Sequence, residues 1–396
     1  MAANPTIEQD IYVGQDFFVP AFRVRIRGRD LLQAEYDVLG VTYRDNDSDM
    51  DSFDLTINNW DPDGKGPGQG WFKYSDTDVF DPWQDVELSM GYYRNGNDEL
   101  QSMMVGEIVR MTPTFPEGAP STLAVNCLNA LQRFRTTQIT KDYFQKQDSW
   151  IARDLVQSIA KDIRQKVPGL DLRMDDDEVN MNLASEAPIG HLDVHQQYAI
   201  NFLFKRSREI GYDIWLDEDT SGSRRVITFH YAPSKYTLKP TYILEWGKSL
   251  QSFTPSFGVA NQPDQVVVRY WNPQNKRKFE GKATRADLVR DGVIDPTTDF
   301  GVKQGPLAKK IDLVTNLVVQ SDEEARTVAR RRLKILAQGL ISGSGKTVGL
   351  PDLRSGNKIR LVGLGRYDGL YHVMTTTHTI GESGYTTDFT ARKENA

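Results

Sequence analysis

Cysteine is almost absent from this chain of 396 residues, which has only Cys127. One thiol cannot form an intrachain disulfide or a cysteine-ligated zinc site. Assembly in a reducing cytoplasm is therefore expected. No stretch approaches the roughly 20 consecutive apolar residues of a spanning helix, so no transmembrane segment is expected. The opening MAANPTIEQD lacks a basic segment followed by an apolar one, so no secretory signal is expected either. Basic excess is missing as well. The chain has 48 Lys and Arg against 54 Asp and Glu, a net charge of −6. That argues against general nucleic-acid binding, which needs a positive field.

Catalytic patterns are also missing. No serine sits in a G-x-S-x-G elbow. GLISGSGKT holds Gly345, Lys346 and Thr347, but Leu340 occupies the position of the first P-loop glycine, and the run follows a helix. It reads as a turn between helix and strand. Asp45, Asp47, Asp49 and Asp51 alternate like an EF-hand start, yet Met50 replaces the central glycine and Thr56 the final glutamate. They read as a solvated acidic loop. His191 and His195, four apart, could share a helix face, but no glutamate follows His191. His230, His372 and His378 stand alone and read as hydrogen-bonded structural residues. Arg23, Arg25 and Arg27 on a strand, and Arg330 to Arg332 on a helix, read as exposed faces or partner contacts, the first with an option of lining a channel. No catalytic, cofactor-binding or metal-binding residue is assigned.

What is present is globular. Hydrophobic residues make up 39% and charged residues 26%, a balance that supports a packed core rather than disorder. The length suggests two to four domains. Residues up to about 135 read as β. Phe22, Val24 and Ile26 alternate with Arg23, Arg25 and Arg27. Phe53, Leu55 and Ile57 alternate with polar residues, and Val86, Leu88 and Met90 share a face. A period of two with one polar face predicts antiparallel sheet.

From 136 to 240 the texture is α+β. With Asp148 or Ser149 as N-cap, a helix places Ile151, Leu155, Ile159 and Ile163 on one face and stops at Pro168 and Gly169. A second covers about 199–210, with Gly211 as a left-handed cap, and a hairpin follows. Strands return over 241–396, around one long helix at 321–338. There Ser321 and Glu324 suggest a capping box, and Ala325, Val328, Ala329, Leu333 and Leu336 form the apolar stripe.

Five ordered segments carry a resemblance. They are DVLGVTYRDNDSDMDSFDLTINNWD, VGEIVRMTPTFPEGAPSTLAVNCLNALQRF, HQQYAINFLFKRSREIGYDIWLDED, DQVVVRYWNPQNKRKFEGKA and GLYHVMTTTHTIGESGYTTDF. Together they resemble the late control D family, the baseplate hub proteins of contractile tails and injection systems. The third is also similar to the hub half of the valine-glycine spike proteins of type VI secretion.

The resemblance implies an α+β, mainly β fold. Two tube-like antiparallel barrels (1–135 and 241–396) would flank an α+β middle domain (136–240), and three copies would form a ring. It implies a non-enzymatic structural hub that adapts a hexameric tail tube to a separate trimeric spike and contacts baseplate wedge proteins. The location implied is a virion or injection-particle baseplate. No lysozyme segment or glycine-valine needle is seen, so spike and hydrolase are expected on other chains. The alternatives from the residues are a carbohydrate- or receptor-binding tail module, for which aromatics in YWNP or GWFKY could stack on sugars, and a cell-wall glycan hydrolase. The strand 371–377 is expected in a barrel wall, and the 61–80 loop at a subunit or partner contact.

Overall fold

The computed structural model describes residues 9–10, 17, 19–30, 37–64, 71–94, 97–135, 138–166, 170–219, 225–233, 242–258, 262–273, 276–292, 310–315, 317, 319 and 321–394. The expected boundary at 240/241 lies outside these residues, and that at 135/136 falls at the end of a described segment, since 136 and 137 are outside them.

The alternating segments pair as strands. β1 (Pro20–Ile26), β2 (Val38–Asn46), β3 (Ser52–Asn58), β4 (Asp85–Arg94), β5 (Asn97–Thr114) and β6 (Thr122–Asn129) form an antiparallel sheet in the order β2-β3-β6-β5-β4-β1. Its buried face carries Val24, Tyr43, Phe53, Leu55, Ile57, Leu88 and Met90. These are the apolar members of each alternating pair, so burial fixes the register. The segment after Trp60 is partly core. Tyr74 and Phe80 are buried, and Trp60–Asp61 pairs with Trp71–Phe72. Residues 65–70 of that loop lie outside the described residues.

The middle part contains β7 (Gln138–Lys146), α1 (Asp148–Lys166), β8 (Leu170–Met174), α2 (Asp176–Ser185), β9 (Ile189–Tyr198), α3 (Ala199–Ile210), β10 (Asp213–Asp219) and β11 (Arg225–Ala232). β7 pairs with β9, and a second sheet runs β8-β11-β10 with β8 parallel to β11. Ile151, Leu155 and Ile163 of α1 enter the core, with Ile159 partly buried against it. The start of α1 differs from expectation. Asp148 is already helical, and its carboxylate turns to the Arg206 guanidinium, 3.1 Å from Nη2, while the Ser149 hydroxyl donates to Glu186 at 2.6 Å. Tertiary partners have taken both candidate caps. Gly211 does close α3, at φ 73°, a conformation in which any Cβ is strained.

The closing part contains β12 (Tyr242–Glu245), β13 (Leu250–Phe257), β14 (Gln265–Asn272), β15 (Arg277–Thr284), α4 (Arg285–Arg290), β16 (Ile311–Val314), α5 (Asp322–Gln338), β17 (Ile341–Val348), β18 (Lys358–Val362), β19 (Gly369–Gly381) and β20 (Gly384–Lys393). It holds two cores. In one, the sheet β15-β14-β16 packs Val266, Val268 and Phe279 against Ala325, Ala329 and Leu333 of α5. In the other, β12, β13 and β17–β20 bury Leu244, Leu250, Ile341, Ile359, Tyr371 and Phe389. Ser321 caps α5 by accepting from the Glu324 N–H at 3.0 Å. Among the described residues no helix is long and apolar enough to cross a membrane.

Candidate functional site: the junction of the β units

The first and last β units are one sheet. Along one edge β19 pairs with β20 throughout. Along the other, residues 369–372 pair with β18, and Thr375–Ile380 pair with Asn46–Val41 of β2. The change of partner falls at Met374, where the β19–β20 register shifts and the Met374 carbonyl accepts from the Asp47 N–H at 3.1 Å. A bulge at this point lets one strand bend away from one sheet and into the next. The cores merge as well, since Ile380 and Tyr385 of the last hairpin pack in the first unit's core.

Arg354 pins this junction. The loop between β17 and β18 anchors itself through buried Leu350 and Leu353 and carries Arg354 toward β2. Its Nε donates to Asp45 Oδ2 at 2.7 Å, and its Nη2 donates to the Met103 carbonyl at 2.9 Å and to the Tyr43 hydroxyl. Ser355 adds its hydroxyl to Asp45 at 2.6 Å and its N–H at 3.0 Å. Asp45 is therefore no solvated acid: it is 5% exposed and held by charge-assisted bonds. The middle part joins the same point. Glu218 of β10 accepts from the Val105 N–H at 2.6 Å, and Arg208 of α3 donates to the Ser48 carbonyl at 2.7 Å. Burial pushes the Glu218 carboxyl up to about 8, against the pull of Arg354.

His378, fully buried on β19, sits behind this cluster. Its Nε2 lies 3.0 Å from the Leu353 carbonyl, which can only accept, so Nε2 carries the proton. Nδ1 then accepts from the Tyr385 hydroxyl at 3.0 Å or from Thr387 at 3.1 Å. Burial, with the charge of Arg354, lowers its pKa to about 3, so it is neutral. Between β2, β10 and the Arg354 loop lies a cavity of about 30 Å³, room for roughly one water and no ligand. Among the described residues no activated nucleophile or paired base faces it. The arrangement ties the first, middle and last parts together through hydrogen bonds and an ion pair.

The other expected residues are dispersed. Gly345, Lys346 and Thr347 are not in a turn but on β17, between β13 and β20. A Cβ on Gly345 would lie 2.4 Å from Cζ of Phe389, so glycine is required for that ring to cover the strand. His191 and His195 lie on the strand β9, not on a helix. Four strand residues separate them by roughly 13 Å, too far to share a metal. His191 instead stacks on Phe144 at 4.5 Å. His230 bonds Glu178 at 2.9 Å and Asp217 at 3.1 Å and stacks on Trp215 at 4.6 Å. His372 is 3.7 Å from Asp47. Arg25 pairs with Asp30, Arg27 with Asp78, Arg330 with Asp291 and Arg332 with Asp312. Among the described residues no group of three or more His, Cys, Asp or Glu is placed to hold a metal. Sequence reasoning missed Arg354, which bonds Asp45, Tyr43 and Met103 at the junction; a lone arginine in a Pro/Gly-bounded loop carries no local signal.

The fold is shared with phage tail proteins. The 43 kDa tail protein of prophage MuSo2 from Shewanella oneidensis superposes with TM-score 0.64 at 11% identity, over 94% of this chain and 98% of that one. A tail protein from Neisseria meningitidis MC58 gives 0.62 at 12%, over 95% and 97%. An E. coli type VI secretion component, described as structurally similar to the T4 tail proteins gp27 and gp5, gives 0.52 at 12%, over 93% and 76%. No curated protein matches by sequence. A family model, the Alg8 N-terminal domain, matches residues 224–382. That span is less than half of the chain and omits β20, the ladder partner of both β17 and β19, so it outlines no structural unit here. At the level of fold, the chain fits the late control D and baseplate hub resemblance carried by its motifs.

Proposed function

We propose that the chain is the structural central hub of a contractile tail or injection-particle baseplate. Three copies form a ring. The two β units of each copy act as tube-like barrels, so that six barrels face a hexameric tail tube while the far end keeps three-fold symmetry for a separate trimeric spike. Baseplate wedge proteins surround it. The site of action is the virion or particle baseplate, after assembly in the bacterial cytoplasm, and the chain itself is not an enzyme.

The observation that carries this reading is the shared strand β19. It joins both β units into one sheet, which suits a part that must pass load from one symmetry to the other without hinging. Among the described residues, Ser252–Ser256 of β13 sit in a ladder on one side only, with β17, which supports ring closure, because a sheet edge is normally covered. Light scattering on the purified chain, alone and with its candidate spike and tube proteins, tests the proposal. A three-fold mass, alone or with the spike, is expected. A monomer that binds neither partner overturns it.

A further inference from the structure

A groove of about 500 Å³ runs along the middle part, between α1 and the strand β8. Among the described residues β8 is the last strand of its sheet and pairs with β11 alone. Leu172 and Arg173 point to opposite faces of β8, yet both line the groove. The groove therefore follows the edge of β8 on which no strand pairs among the described residues, a place where a further strand can add.

Its chemistry is mixed. The floor is apolar, made by Val156 and Ala160 of α1 with Leu172 and Met174 of β8. The rim is cationic. Arg153 and Lys161 stand on one face of α1, and Arg173 stands on β8. None of these three makes a hydrogen bond or ion pair with a described residue, whereas Arg164 beside them pairs with Asp171 at 2.9 Å. Asp176 places one carboxylate at the α2 end. Three uncommitted cations on one groove, in a chain of net charge −6, are a local exception to the protein's overall field. Among the described residues no aromatic side chain lines the groove, so it offers bases nothing to stack on.

We propose that this groove docks an extended acidic segment of a partner protein, which adds a strand to the edge of β8 and sets its carboxylates against Arg153 and Lys161 on the α1 side and against Arg173 on the opposite face. The lengths agree. The helical lining from Arg153 to Gln165 spans about 18 Å at 1.5 Å per residue, and a five-residue strand spans about 17 Å. Strand addition with charged side-chain recognition is a known physical mode of peptide binding. The site does not rest on the hub reading, since a monomer would carry the same groove. Failure of ring assembly and failure of peptide binding are thus separate results.

Fluorescence polarisation on the full chain tests it, with labelled Glu-Val-Glu-Val-Glu, its Lys-Val-Lys-Val-Lys counterpart, an acidic version N-methylated at alternate residues, and an oligothymidylate. The acidic peptide should bind saturably and weaken with added salt. The triple variant R153E/K161E/R173E, with surface changes that leave the circular dichroism unchanged, should lose at least about tenfold in affinity. The lysine and N-methylated peptides should bind far more weakly. Absence of saturable binding, equal binding of the lysine or N-methylated peptide, or full affinity in the triple variant would each overturn the proposal. Tighter binding of the oligothymidylate, lost in the same variant, would make the groove a nucleic-acid site instead.

Discussion

Arg354 and Asp45 are 309 positions apart in the chain and 2.7 Å apart in the fold. Their pair ties the loop before β18 to the strand β2, where the two β units meet. Asp45 is 5% exposed, so removing its partner strands a carboxylate in a poorly solvated place. Truncating one member of such a pair costs roughly 3–5 kcal/mol. Arg354→Met should therefore lower the urea midpoint substantially. The double variant Arg354→Met/Asp45→Leu should recover part of that loss, because no lone charge remains. Equal stability of wild type and Arg354→Met would remove the junction from this account.

The two buried histidines should give the chain opposite pH responses. His378 has its pKa lowered to about 3 by burial and the Arg354 charge, against an unfolded value of about 6.5. Between those values the unfolded chain takes up a proton that the folded chain refuses, so stability falls as pH drops through that window. His378→Gln, which can still donate to the Leu353 carbonyl, should flatten the acid side of a plot of Tm against pH.

His230 behaves in the other sense. Burial pushes its pKa down, but the hydrogen bonds to Asp217 and Glu178 outweigh burial together and hold it at about 9. Its contribution is complete below the unfolded value of about 6.5 and is lost as pH rises through about 9. His230→Gln should cost about 2 kcal/mol at neutral pH, the scale of hydrogen bonds to a charged group. It should cost little above pH ~10, once the wild-type ring has also lost its proton.

These residues also mark what a sequence can and cannot disclose. The strands of the first unit were legible because alternation such as Phe53, Leu55, Ile57 is set locally by the two faces of a strand. Gly211 was legible because a helix end makes its demand within one turn. His191 and His195 left helix and strand open because a spacing of four returns to the same face in a strand as well as approximately in a helix. Asp45 was misread as solvated because its partner lies 309 residues away. The run through Gly343 and Gly345 read as a turn because the rings of Phe253 and Phe389 that need its bare backbone arrive from other strands.

Gly345 gives a direct test of that last point. A methyl placed there would meet Cζ of Phe389 at 2.4 Å, and Phe389 is 2% exposed with little room to yield. Gly345→Ala should cost about 1–3 kcal/mol, the usual penalty of overpacking, although alanine has better intrinsic strand geometry than glycine. Adding Phe389→Leu, costly alone, should cost less on top of Gly345→Ala than in the wild type. Strict additivity of the two changes in a double-mutant cycle would show that the ring does not depend on the glycine.

Val373 lies at the change of partner on β19, with no exposed surface, one residue before Met374. Its side chain packs in the core shared by β12, β13 and β17–β20. Val373→Asp would bury a carboxylate in that apolar core, at a cost of several kcal/mol. Loss of this core would also release β19, and with β19 the ladder from Thr375 to Ile380 that holds β2. The expected outcome is insoluble protein, or a soluble chain that fails to assemble by light scattering. Val373→Ile, which keeps an apolar branched side chain at the same place, should fold and assemble as the wild type does. A Val373→Asp chain that is soluble, cooperative in unfolding and unchanged in mass would mean that the strand is not the shared wall of the two β units.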